Sequence, residues 1–230
     1  MKPYYEAYDD RYRQVHEKNL QWASDVPSPI VYRVINRYGA GREAKILELG
    51  CGEGRDAIAL LEKGYSLTAT DISPEAVRYC RNRWPQYAQR FRTLDCVRGV
   101  LEEKFDVIYA VAVIHMLVED GHRAAFYRFV RDHLNEDGIA LVCTMGDGTA
   151  EVKSDISAAF DLRERTHGQT GKHLMLAGTS CRMVNWDTFL REIRENGLTL
   201  LDHGLTEVPP DFPVMMYAVM RKQSETLSLF

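Results

Sequence analysis

The run Glu48-Leu49-Gly50-Cys51-Gly52-Glu53-Gly54 places three glycines within five residues. Glycines let a backbone turn tightly and approach a ligand closely, and this run lies between an apolar segment and a helical one. Asp71 follows 17 residues after Gly54, where a carboxylate at a strand end can accept both hydroxyls of a ribose. Asp95-Cys96 repeats the arrangement one strand later. There a carboxylate can accept from an exocyclic purine amine while a backbone N–H meets a ring nitrogen. His115, just past a strongly apolar strand, is the candidate general base; a structural place at the start of the next element is the alternative. Tyr4, Tyr8 and Tyr12 share one face if their segment is helical, either as an aromatic lid able to meet a cation or as ordinary amphipathic packing. Arg55 can reach a ligand carboxylate or a solvent-exposed acid. Thr179-Ser180-Cys181-Arg182 can read a substrate or simply shape a loop.

Strand and helix signals surround these residues at regular spacing. Ile46 to Leu49 reads as a strand, Asp56 to Lys63 as a helix closed by Gly64, and Ser66 to Thr70 as a strand ending at Asp71. Ser73-Pro74-Glu75 supplies a hydroxyl N-cap, a proline at the first helical position and an acid in the first turn. Phe91 to Leu94 is a weaker strand, and Phe105 to Val111 reads as a strand buried on both faces. A helix over 120–134, a turn at Asp137-Gly138 and a strand over Ile139 to Thr144 follow. This alternation implies βαβ units and a parallel sheet covered by helices. Upstream, a helix over Ile30 to Tyr38 is ended by Gly39 and Gly41. Residues 148–184 show no clear period. Beyond them come a helix from Trp186 to Asn196 capped by Asn185, then strands Leu198 to Leu205 and Val214 to Met220 joined at Pro209-Pro210-Asp211.

The 230-residue chain is long enough to bury a full core without staples. Its 45% hydrophobic and 27% charged residues exclude disordered, collagen-like and coiled-coil classes. A net charge of −4 argues against a protein whose affinity comes from neutralising phosphates along a nucleic acid. The arginines at 78, 81, 83, 90 and 92 read as a solvated face. Five scattered cysteines with no CxxC, and an N-terminus without an apolar signal region, point to a reducing cytoplasm. The longest apolar stretch is too short for a bilayer. His167, His173 and Cys181 match no common zinc spacing, so no metal is expected.

Two ligand classes compete for the glycine run. In the dinucleotide fingerprint GxGxxG, the third glycine packs helix against strand; counted from Gly50 that position holds Arg55, which opposes such packing. Taken in order, ILELGCGEGRDA, TATDIS, TLDC and FDVIYAVAVIHML instead resemble the class I S-adenosylmethionine-dependent methyltransferases, from about Lys45 to Thr144. The GCGEGRD segment is similar to small-molecule members of the tellurite-resistance and thiopurine type.

The resemblance implies a Rossmann-like α/β fold with a seven-stranded, mostly parallel sheet, an antiparallel last strand, and helices on both faces. It implies S-adenosylmethionine over Gly50, Gly52 and Gly54, with Asp71 at the ribose, Asp95 and Cys96 at the adenine and the Ala110-Val111 backbone at the methionine end. Ile72, Glu48, Cys51 and Arg55 complete the expected cofactor set. Methyl transfer to a small-molecule acceptor is the implied reaction, with His115 as base and Tyr4, Tyr8, Tyr12, His115 and Arg182 toward the acceptor. The expected division is a single domain over 1–230, with a helical lid over 1–45, a cofactor core over 46–147 and 185–221, and a substrate-side insert over 148–184. Two other readings stay open: a non-catalytic S-adenosylmethionine-binding protein, and a nucleotide-cofactor oxidoreductase.

Overall fold

The computed structural model describes residues 2–38 and 40–223. Gly39, expected to help end a helix, and the last seven residues of the tail lie outside the described residues.

Strands β1 (Lys45–Leu49), β2 (Ser66–Asp71), β3 (Phe91–Thr93), β4 (Phe105–Val111) and β5 (Leu134–Met145) run parallel. Two short ladders over the insert pair β6 (Val152–Lys153) with β9 (Arg182–Met183), and β7 (Leu162–Thr166) with β8 (His173–Ala177). The final strands are β10 (Leu198–Val208) and β11 (Phe212–Lys222). The main sheet has seven strands in the order β10-β11-β5-β4-β1-β2-β3, and β11 is antiparallel to both neighbours. Strand order reverses at β1, so its carboxyl end, flanked by β2 and β4, is the crevice where open α/β sheets bind ligands.

Helices α1 (Ala7–His16), α2 (Pro29–Arg37), α3 (Arg55–Leu61), α4 (Pro74–Arg83), α5 (Asp120–His133) and α6 (Trp186–Glu195) cover the sheet. One face packs Ile30, Val34, Ala57, Leu60 and Val77 from α2, α3 and α4 against Ile46, Val107 and Leu141. The other packs Phe126, Val130, Phe189 and Ile193 from α5 and α6 against Leu47, Ile108 and Val142. Helix starts follow their caps: Ser73 Oγ accepts from the Ala76 amide at 3.0 Å, and Asn185 Oδ1 from Thr188 at 2.9 Å. Two expectations change. Asp137-Gly138 lies inside β5, where pairing with β4 jumps from Leu134 to Ile139, so the glycine sits in an irregularity rather than a connecting turn. The insert without a period is built on the two short ladders, whose strands are too short for alternation to register.

Arg123, 1% exposed, ties this frame to the site. It forks onto Glu192 of α6 with two 2.7 Å bonds and donates to the carbonyls of Ile114 and Leu117, in the 3-10 turn after β4. Truncating one partner of such a pair leaves a carboxylate and two carbonyls without donors, so Arg123→Met should cost about 3 kcal/mol or more. A lowered urea midpoint at unchanged denaturant slope is the expected reading; an unchanged midpoint contradicts this role.

Candidate active site

The backbone leaves β1 through Gly50, Gly52 and Gly54, at φ of 72°, 52° and 83°. Only glycine holds all three without strain. The Cys51 amide donates to Thr70 O at 2.8 Å, and the Gly52 amide to Asp71 Oδ2 at 2.8 Å. Asp71 Oδ1 accepts from the Ser73 amide at 2.8 Å, so one carboxylate fixes the loops after β1 and β2 together. Burial pushes Asp71 up to about 6, against the opposing pull of the Ser73 and Gly52 amides. Each carboxylate oxygen retains a free lone pair for a hydroxyl donor.

A cavity with about 600 Å³ of empty space, part of it open to solvent, runs along this edge. Gly50, Asp71, Ile72, Asp95 and Cys96 all line it, with Val113 and Leu117 from beyond β4. Asp95 Oδ1 accepts from the Val97 amide at 2.8 Å, and Oδ2 from the Tyr5 hydroxyl at 3.2 Å. Burial, then the Asp95 charge, push the Cys96 thiol up to about 12, so it stays protonated. The outer wall is aromatic: Tyr5, Tyr8 and Tyr12.

Tyr4 is not in that wall. Residues 4–6 form a 3-10 turn before α1, which rotates Tyr5 rather than Tyr4 inward. The Tyr4 hydroxyl instead accepts from the Val118 and Glu119 amides at 2.8 and 3.1 Å. A continuous helical period from residue 4 hides Tyr5, because it turns that side chain off the shared face.

His115 does not line the cavity. It is buried beside Phe212, ring centroids 6.3 Å apart, with Nδ1 lacking a partner among the described residues. Burial, then the Arg123 charge, press its pKa down to about 3, too weak a base to hold a proton at neutral pH. Arg55 is bound to Asp211 at 2.9 Å and lies near Asp56, outside the cavity lining. Arg182 fastens the insert to the Val118 carbonyl and Asp120. Ala110 and Val111 are buried in β4, and the chain turns at Ala112 (φ 61°) to bring Val113 to the cavity instead.

Glu48 is buried in β1, in register with Tyr109. Burial, then Asp56, push it well up, and its Oε2 is unpartnered among the described residues. Cys51 and Gly54 are packing positions: a Cβ on Gly54 would lie 2.7 Å from Trp84 and 3.0 Å from Cys80 Sγ. Of the arginines between 78 and 92, Arg78, Arg83 and Arg92 pair with Glu75, Asp25 and Glu103, and Arg81 donates to the Phe91 carbonyl.

Residues 47–140, which contain every cavity-lining segment except the N-terminal tyrosines, match a family model described as a methyltransferase domain. That match takes in the glycine loop and the ends of β2, β3 and β4. A protein named Hemagglutinin 1 from Eikenella corrodens is 29% identical over 125 residues, 52% of this chain and 40% of its own length. The malonyl-[acyl-carrier protein] O-methyltransferase of Bacillus cereus is 28% identical over 153 residues, 66% of this chain and 52% of its own length. The chain thus spans about half the length of these curated relatives. The Burkholderia thailandensis 1,6-didemethyltoxoflavin-N1-methyltransferase, solved with 1,6-didemethyltoxoflavin and S-adenosylhomocysteine, superposes with a TM-score of 0.69 at 17% identity, over 97% of this chain and 92% of that one. At that identity the likeness speaks to the fold alone, a seven-stranded and mostly parallel sheet.

The glycine loop is covered at Gly52 by Tyr12, whose hydroxyl lies 2.6 Å from where a Cβ would stand. Gly52→Ala should therefore displace Tyr12 and strain a left-handed backbone, costing about 1–3 kcal/mol. Thermal unfolding measures it; a variant as stable as wild type contradicts the close approach.

Proposed function

We propose that this chain is an S-adenosylmethionine-dependent methyltransferase, transferring a methyl group by in-line displacement to a small-molecule acceptor and leaving S-adenosylhomocysteine. One observation carries the reading: within the matched methyltransferase domain, Gly50, Asp71 and Asp95-Cys96 line one cavity at the sheet's switch point.

The residues fit the cofactor's parts. Asp71 has carboxylate lone pairs for ribose hydroxyls, and Asp95 with the Cys96–Val97 backbone can accept from and donate to an adenine edge. Tyr8 and Tyr12 supply aromatic side chains to the lining, a residue type that attracts a sulfonium. Among the described residues, Glu48 Oε2 and Arg55 Nε are buried without partners near the glycine loop, one carboxyl oxygen and one donor left uncommitted.

When bound, the cofactor supplies a methyl group already activated by positive sulfur. The chain's own contribution is to align the acceptor atom and to exclude water with the tyrosine wall. The lid over 1–45 and the insert over 148–184 meet where the Tyr8 hydroxyl donates to the Ser180 carbonyl at 3.1 Å, and we assign acceptor choice to them. The activity named for the Bacillus cereus relative favours one second reading, an acid carried on an acyl-carrier protein. Arg55 at the third fingerprint position disfavours the oxidoreductase alternative, and methyl transfer itself separates an enzyme from a cofactor-binding protein. A cytoplasmic setting suits the five free thiols; no described helix is long and apolar enough to cross a membrane.

Asp71→Ala should weaken S-adenosylmethionine binding by at least about tenfold, as loss of charged hydrogen bonds implies. In the wild type, affinity should fall as pH drops through about 6, where Asp71 takes up a proton and loses its charge. Calorimetry across that range reads both effects. An unchanged affinity in Asp71→Ala, or an acid limb that survives in Asp71→Asn, sinks the ribose assignment.

A further inference from the structure

Three carboxylates reach between the N-terminal segment and the two loops that build the cavity. Glu53, between Gly52 and Gly54, has a fully buried side chain whose partners all come from the N-terminal segment. Its Oε1 meets the Trp22 amide at 2.8 Å and His16 Nε2 at 2.9 Å, and its Oε2 the Ala23 amide at 2.7 Å. Glu75, in the first turn of α4, meets His16 Nδ1 at 2.7 Å. Asp9 of α1 accepts from Ser73 Oγ at 2.7 Å and the Glu75 amide at 3.1 Å.

His16 is the centre of this arrangement. Both ring nitrogens face a carboxylate oxygen, so both must carry protons; a neutral imidazole would point a lone pair at one of them. One turn earlier on the same face of α1, Tyr12 covers Gly52 and walls the cavity. The groups facing His16 come from every element packed against it. They are Glu53 from the glycine loop, Tyr12 from α1 with ring centroids 5.9 Å away, and Glu75 and Tyr79 from α4, Tyr79 stacking at 4.3 Å; the Trp22 and Ala23 amides reach Glu53 from its other side. Arg78 holds Glu75 with bonds to both oxygens, and Arg13 is engaged by Asp9 and Asp10.

We infer that His16 is a proton-dependent latch: as an imidazolium it ties the tyrosine lid to both cofactor loops, and on losing its proton it lets the lid lift. The inference rests on the cofactor reading above for what the lid encloses, and makes His16 and Glu53 positioning residues. Burial opposes the charge on His16, but the hydrogen bonds to Glu53 and Glu75 outweigh it and raise its pKa above the ordinary histidine value. The latched form is therefore complete below the ordinary histidine range and is lost as pH rises through the raised value. Asp71 acts on the opposite, acid side.

Long-range proton–nitrogen NMR of the full chain without ligand reads the latch directly, with His16→Gln assigning the ring. The expected result is an imidazolium at pH 7 that deprotonates above the usual histidine range, and at lower pH in Glu53→Gln. A neutral ring at pH 7 overturns the proposal. Calorimetry with 5′-methylthioadenosine, which lacks the α-amino group that would titrate in the same range, reads the consequence. Wild-type affinity should fall about tenfold as the latch deprotonates, a charged hydrogen bond's worth, while His16→Gln binds weakly and without that alkaline limb. An alkaline limb that persists in His16→Gln also overturns the latch. If neither the nucleoside nor S-adenosylhomocysteine binds either protein at any pH, the cofactor reading fails instead, and the NMR titration still decides the latch.

Discussion

The site depends on how the chain leaves the centre of the sheet. After β1 the backbone must turn at once, close to whatever lies at the sheet edge, and three left-handed glycines within five residues do this. That path is unstable alone, because its amides would be left without partners. Asp71 resolves it by accepting the Gly52 amide from one loop and the Ser73 amide from the next. Cavity shape and the seat for Tyr12 follow from that shared carboxylate, and its burial raises its own pKa against the pull of the two amides.

Charge placement around the turn is graded by its partners. Asp71 lines the cavity with two amides and, among the described residues, no paired cation, so burial raises it to about 6. Glu53, between Gly52 and Gly54, takes no part in the cavity lining and meets a histidine and two amides of the N-terminal segment. His115 has neither a carboxylate nor a wet surface, and burial leaves it neutral. Similar residue types thus line the cavity, tie the N-terminal segment to the glycine loop or pack in the core, according to which groups surround them.

Much of this frame was legible in the sequence. The alternating strands and helices, the Ser73 and Asn185 caps and the glycine run are local signals, and each appears within a few residues of its expected place. Asp71, Asp95 and Cys96 were readable because strand ends in a parallel sheet face a common edge. What escaped depended on long-range partners. Arg55 is engaged by Asp211, which lies 156 residues away. The inward turn of Tyr5 needs the 3-10 geometry of residues 4–6. His16 continues the Tyr4-Tyr8-Tyr12 spacing, so its face was readable, but its two carboxylates come from separate loops.

The central claim is that one nucleoside cofactor is enclosed between the sheet-edge loops and the N-terminal tyrosines. Hydrogen exchange of the full chain with and without S-adenosylhomocysteine tests it most directly. Protection should appear together in residues 50–54, 71–73, 95–97 and α1, and NAD should produce none of it. Protection by NAD, or protection by S-adenosylhomocysteine that leaves α1 unchanged, would contradict the account.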